Sequence, residues 1–82
     1  MIVVLLPSLL AREAGGQKRF ELEAETLRDA LAQLPISNLV FDERGERRPL
    51  VNLFVNGADT RDLDAPLPAD AEVRVVAAIA GG

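Results

Sequence analysis

An α+β domain, built as one mixed sheet of four to five strands with a single main helix across one face, is the fold class predicted here. Three observations carry it. Strand-like apolar segments open and close the chain, at Met1–Leu6 and Glu72–Ala78. Only one stretch, Thr26 to Pro35, combines a capping residue with apolar positions at helical spacing. Finally, 82 residues can bury only about 60–65% of the surface their unfolded chain exposes, which allows one small core and one domain, residues 1–82.

Each element has a local reason. In Met1–Leu6 the apolar run is short and Pro7 stops it. Ser8–Glu13 is read as one helical turn before Gly15-Gly16 reverses the chain. Lys18–Ala24 alternates, with Phe20 and Leu22 against Arg19, Glu21 and Glu23, which is the pattern of a half-buried strand. In the helix, Thr26 is the N-cap, Asp29 stands three residues on, and Leu27, Ala30, Leu31 and Leu34 form one apolar stripe of about three turns. No regular structure is assigned to residues 36–49, where Leu39-Val40-Phe41 packs on the core and Asp42 to Pro49 has the charge and glycine of an exposed turn. Leu50–Asn56 alternates again as the third strand, and Asn56-Gly57 is a hairpin turn. Asp59–Leu63 is read as a short edge strand, Ala65–Asp70 as a loop carrying two prolines, and Glu72–Ala78 as the last strand.

Composition excludes several functions. The chain contains no Cys and no His, which removes thiol nucleophiles, the usual zinc sites and imidazole acid–base chemistry. Catalysis by this chain alone is therefore not expected, and neither is a metal site. Asp42, Glu43 and Glu46 are interleaved with Arg44, Arg47 and Arg48 and read as a solvated turn. Gly15-Gly16-Gln17-Lys18 lacks the spacing of a phosphate-binding loop. A net charge of −4 with basic residues interspersed argues against nucleic acid and leans towards a basic docking partner. The N-terminal apolar run has no basic start and is far too short to span a membrane, so a cytoplasmic protein with no membrane partner is expected.

Two features remain as candidate function. A short helix covers one face of a sheet, so the other face is left open. By strand parity Val3 and Leu5, Phe54, and Arg74 and Val76 point to it, and a cluster of apolar side chains there would mark a partner surface. The second feature is the ending Ala78-Ile79-Ala80-Gly81-Gly82. Its side chains shrink towards two glycines, which offer neither contacts nor backbone restriction, so a bare tail of Ala80, Gly81 and Gly82 is expected to leave the body with the Gly82 carboxylate as its reactive group.

The hairpin, the capped helix, Val51-Asn52-Leu53-Phe54-Val55-Asn56-Gly57 and the Glu72-Val73 through Ala80-Gly81-Gly82 ending resemble the ThiS/MoaD family of ubiquitin-like sulfur carriers over nearly the whole chain. Within it, Pro7-Ser8-Leu9-Leu10, Gly15-Gly16-Gln17-Lys18, Val51-Asn52, Arg61 and Ala78–Gly82 are most similar to the CysO-type carriers of cysteine biosynthesis. The resemblance implies a β-grasp fold in which strands one, five and three are neighbours. It places Val3, Leu5, Phe54 and Val76 side by side on the open face. It departs at Ala69-Asp70-Ala71, where Asp-Gly-Asp is the family habit, so Asp70 is expected to take the left-handed conformation.

The resemblance also implies a chemistry. A terminal carboxyl has a pKa of about 3.5 and is an unreactive anion at neutral pH. An E1-like adenylating and sulfurtransferase enzyme of the MoeB/ThiF/MoeZ type would use ATP and magnesium to adenylate Gly82, and sulfur would replace AMP to give a thiocarboxylate. The chain itself would bind no cofactor. The acceptor would be a cysteine synthase, or the large subunit of molybdopterin synthase if the chain is a MoaD-like small subunit. Two further readings are a ubiquitin-like modifier that forms isopeptide bonds through Gly82, and a non-conjugating interaction domain that uses the Phe54 face.

Overall fold

The computed structural model describes residues 1–77. Its elements are β1 (Ile2–Leu5), α1 (Ser8–Glu13), β2 (Arg19–Leu22), α2 (Leu27–Ala32), α3 (Ser37–Val40), β3 (Val51–Val55), β4 (Ala58–Asp59) and β5 (Glu72–Ala77). The five strands form one sheet in the order β2-β1-β5-β3-β4. β1 and β5 run parallel, and the other pairs are antiparallel. The expected neighbours one, five and three are therefore side by side, and the fold is the β-grasp.

Strand parity decides what is buried. Ile2 and Val4 of β1, Val51 and Leu53 of β3, and Val73 and Val75 of β5 turn to one side and are almost wholly buried. Against them pack Leu27, Ala30 and Leu31 of α2, with Leu34, Ile36 and Val40 following. The core contains no buried polar or charged residue among those described, so it is held by apolar burial alone, at about 25 cal/mol for each Å² removed from water.

Three expectations need correction. α2 spans six residues, under two turns, although Thr26 caps it as expected, its hydroxyl accepting from the Asp29 N–H at 3.1 Å. Pro35 has no N–H to give to the Leu31 carbonyl, which instead takes the Leu34 N–H; a second tight turn, Ser37 N–H to Leu34, leads into the next element. That element is α3, within the stretch assigned no regular structure. At four residues it is too short to show a period, yet it buries Val40 completely. The edge strand expected over Asp59–Leu63 is only Ala58–Asp59, with Thr60 adding one N–H bond to Leu53. Leu63 instead turns inward, 8% exposed, and its carbonyl accepts the Arg28 N–H.

The tight turns follow their residues. Val55 pairs with Ala58 across Asn56-Gly57, whose φ values of 50° and 85° are those of a two-residue hairpin turn. Gly57→Ala puts a side chain at a left-handed position and is expected to cost about 1–2 kcal/mol, read as a lower denaturant midpoint with unchanged slope. Asp70 takes φ 56°, the left-handed conformation expected where glycine is usual.

One exposed ion pair links separate loops. Arg28 of α2 donates to Asp64 at 2.8 Å and to the Gly45 carbonyl at 2.6 Å. The hydrogen bond from Arg28 holds the Asp64 carboxyl below the ordinary carboxylate range. A carboxyl with a lowered native pKa adds stability above its unfolded pKa and loses it as pH falls through the native one. Asp64→Asn should therefore lower the melting midpoint slightly at pH 7 and leave it unchanged at a pH below both values, as a thermal melt at the two pH values would show.

Candidate functional site at the open face and the end of the central strand

The face of the sheet opposite the helices carries every described residue expected there. Val3, Leu5 and Phe54 are half-buried, while Arg74 and Val76 are exposed. The register fixes their neighbours. Leu5 lies opposite Arg19 on one side and Arg74 on the other, and Phe54 lies between Arg74 and Asp59. A row across all five strands thus reads Arg19, Leu5, Arg74, Phe54, Asp59. The row before it reads Glu21, Val3, Glu72, and the one after it pairs Val76 with Asn52.

This corrects one expectation. The apolar residues share the face but are not side by side, because β5 lies between β1 and β3 and its outward residues are Glu72, Arg74 and Val76. Arg74 stands between Leu5 and Phe54, with its guanidinium 3.3 Å from Glu72. A parallel pair, Arg19 and Glu21 at 3.0 Å, lies at the β2 edge. Both pairs are exposed, so they contribute little to stability and leave the charges free for a partner. The face is a chequered polar and apolar surface rather than a greasy patch.

Sequence reasoning missed a second feature, on the helix side at the same end of the sheet. Ala77, the last residue of β5, turns inward like Val73 and Val75 and forms one wall of a hollow of about 330 Å³. Leu10, Leu39, Pro49, Leu50 and Val51 complete its apolar lining, with Arg48 at its rim. Leu50 is 53% exposed there. Its alternation with Val51 made it look like the first residue of a strand, and only α3, unassigned from sequence, brings Leu39 opposite it.

The expected reactive segment, Ala80, Gly81 and Gly82, lies outside the described residues, as does the expected last residue of the strand, Ala78. What the described residues show is where that segment begins. β5 is the middle strand, held on both sides, and it hands over to residue 78 at the end of the sheet where Val76 is exposed on one face and the apolar hollow opens on the other. Among the described residues no group of three or more acidic side chains is arranged to hold a metal ion.

A model of the ThiS family matches residues 4–82. The chain belongs to the ThiS family. Comparison with curated proteins finds no match, but solved structures agree in fold. CysO of Mycobacterium tuberculosis is 26% identical, with TM-score 0.84 over 96% of this chain and 100% of that one. SAMP1 of Haloferax volcanii is 26% identical, with TM-score 0.77 over 99% and 98%. The Amycolatopsis orientalis BexX/CysO complex includes a chain with 22% identity and TM-score 0.81, covering 100% of both. The ThiS-family match includes Gly81 and Gly82. Among the described residues no helix is long and apolar enough to cross a membrane.

Proposed function

We propose that this ThiS-family chain is a sulfur carrier whose reactive group is the Gly82 carboxylate. The observation that carries the reading is the family match running through residue 82, on a chain with no thiol or imidazole of its own. Sulfur then has to be held on the terminal carbonyl carbon. The carboxylate, an anion at neutral pH, attacks the α-phosphorus of ATP in a partner's active site and expels pyrophosphate. The resulting acyl-adenylate accepts sulfide, or a persulfide whose S–S bond a thiol then cleaves, and AMP leaves. The product is a thiocarboxylate.

In this scheme the chain supplies reach and recognition, not catalysis. ATP and magnesium belong to an E1-like enzyme of the MoeB/ThiF/MoeZ type. Residues 78–82, if extended, span about 16–18 Å, enough to place the terminal carbon inside an enzyme while the folded body stays outside. The five open-face residues Val3, Leu5, Phe54, Arg74 and Val76 form the docking surface. Likeness to CysO supports cysteine as the product and a cysteine synthase as the acceptor.

A second reading is supported by the 26% identity to SAMP1, described in a Methanosarcina acetivorans relative of equal identity as a small archaeal modifier protein. There Gly82 would be joined to lysines of other proteins. Intact mass after incubation with the E1-like enzyme, ATP, magnesium and sulfide separates the two. Replacement of one oxygen by sulfur supports the carrier; isopeptide-linked species with no such product support the modifier; no adenylation at all rejects both.

A further inference from the structure

The chain is acidic overall, at −4, but its charge is not spread evenly along the sheet. The register sorts it. On the open face both ion pairs run the same way, with Glu21 and Glu72 level with Val3, and Arg19 and Arg74 one step nearer the end where β5 passes into residue 78. Acids continue beyond the first row. Glu23 and Asp70 sit at the far end, where Asp70 lies 3.0 Å from the Met1 ammonium. Bases continue beyond the second. Lys18, the chain's one lysine, is exposed where its carbonyl takes the Leu6 N–H, just past the end of β1. Arg48 occupies the matching place before β3, where its carbonyl takes the Val51 N–H.

The row that holds Arg19 and Arg74 ends on β4 in the exposed Asp59, so Lys18, Arg19, Arg74 and Arg48 form a basic collar beside the handover from Ala77 to residue 78 that is open on the β4 side, on a protein whose net charge has the opposite sign. Asp42 and Glu43 are the acids beside Arg48. One oxygen of the Asp42 carboxylate, Oδ1, accepts the Arg44 and Glu46 N–H groups at 2.8 and 3.0 Å. Apolar seats are set into the collar on both faces, Val76 and Leu5 on one, and the hollow edged by Leu50 and Leu39 on the other. An enzyme that encloses residues 78–82 comes up beside this collar, because the collar flanks the end of the sheet at which those residues start.

We propose that the collar is the docking surface for an acidic rim around the active-site entrance of the adenylating enzyme, a rim that also presents an aliphatic side chain to the hollow. The inference rests on the carrier reading and narrows it. It reverses the partner charge that the net balance suggested, because a partner meets a local field, not the average.

The test uses the full chain and the E1-like enzyme that adenylates it, with affinity measured without ATP at several salt concentrations. The double reversal Lys18→Glu with Arg74→Glu should weaken binding about 10–100-fold at low salt, and wild-type affinity should fall as salt rises. Leu50→Ser should weaken binding at every salt concentration. Glu23→Lys, at the far end, should leave affinity unchanged. Circular dichroism checks that each variant folds; if the double variant does not, Arg48→Gln replaces it, with a smaller loss in the same direction. Adenylation of wild type with charge-reversed variants binding equally well, or better, overturns the collar and leaves the carrier reading standing. Failure of wild type to be adenylated at all removes both.

Discussion

Gly82→Val is expected to lower the rate of thiocarboxylation about 100-fold or more, the size of effect that follows when a reacting atom is misplaced by about 1 Å. The carboxyl remains in the variant, with its charge and its chemistry, so the loss would come from the added side chain alone. A terminal carbon delivered to an enclosed site has to pass with its neighbours through whatever encloses that site, and a β-branched side chain stiffens and widens the last residue. Single-turnover mass spectrometry with the adenylating enzyme measures it. Residues 1–77 keep their sequence, so the melting midpoint is expected not to move. Thiocarboxylation of Gly82→Val at the wild-type rate would sink the carrier assignment of Gly82, whereas removal of Gly81 and Gly82 with partner binding retained would confirm that docking and chemistry reside in separate parts of the chain.

Leu53→Ala should cost about 2–5 kcal/mol. Leu53 is fully buried in β3, between Val51 and Val55, with Val75 of β5 as its partner. A domain of this length has a total stability of roughly 4–12 kcal/mol, taking about 0.05–0.15 kcal/mol for each residue. One such cavity therefore removes a large share of it. Denaturant unfolding measures the cost directly. Any loss of partner binding should track the unfolded fraction, unlike the loss from Lys18→Glu with Arg74→Glu, which should appear in fully folded protein. A cost below 1 kcal/mol would mean that the core around β3 collapses to fill the gap.

The fold was legible because its decisive patterns are local and periodic. Alternation in Lys18–Ala24 and Leu50–Asn56, the Thr26 cap and the Asn56-Gly57 turn each act over a few residues, and each appears in the structure where its residues predict it. The left-handed Asp70 was legible only through the resemblance, which sets it where the family has glycine: a turn that needs positive φ needs it whichever residue is present. Short elements were not legible. α3 has four residues, fewer than any hydrophobic period can reveal, and the ending of α2 depends on which N–H replaces the one Pro35 lacks. Leu63 reads as the end of an edge strand, but that strand stops at Asp59 and Leu63 is buried in the core.

The sequence by itself determined the class of this protein: a small α+β fold, in a chain without thiol or imidazole, whose resemblance to the sulfur carriers extends through Gly81-Gly82. Which side chains share a face was also set there, since parity along a strand is a local property. Which of them are neighbours was decided only by tertiary structure. Placing β5 between β1 and β3 puts Arg74 between Leu5 and Phe54 and turns an expected apolar patch into a charged and apolar lattice. The same register gathers Lys18, Arg19, Arg74 and Arg48, spread over more than fifty positions of the chain, around one end of an acidic protein. Strand order depends on contacts between segments distant in sequence, and no window along the chain contains both partners of such a contact.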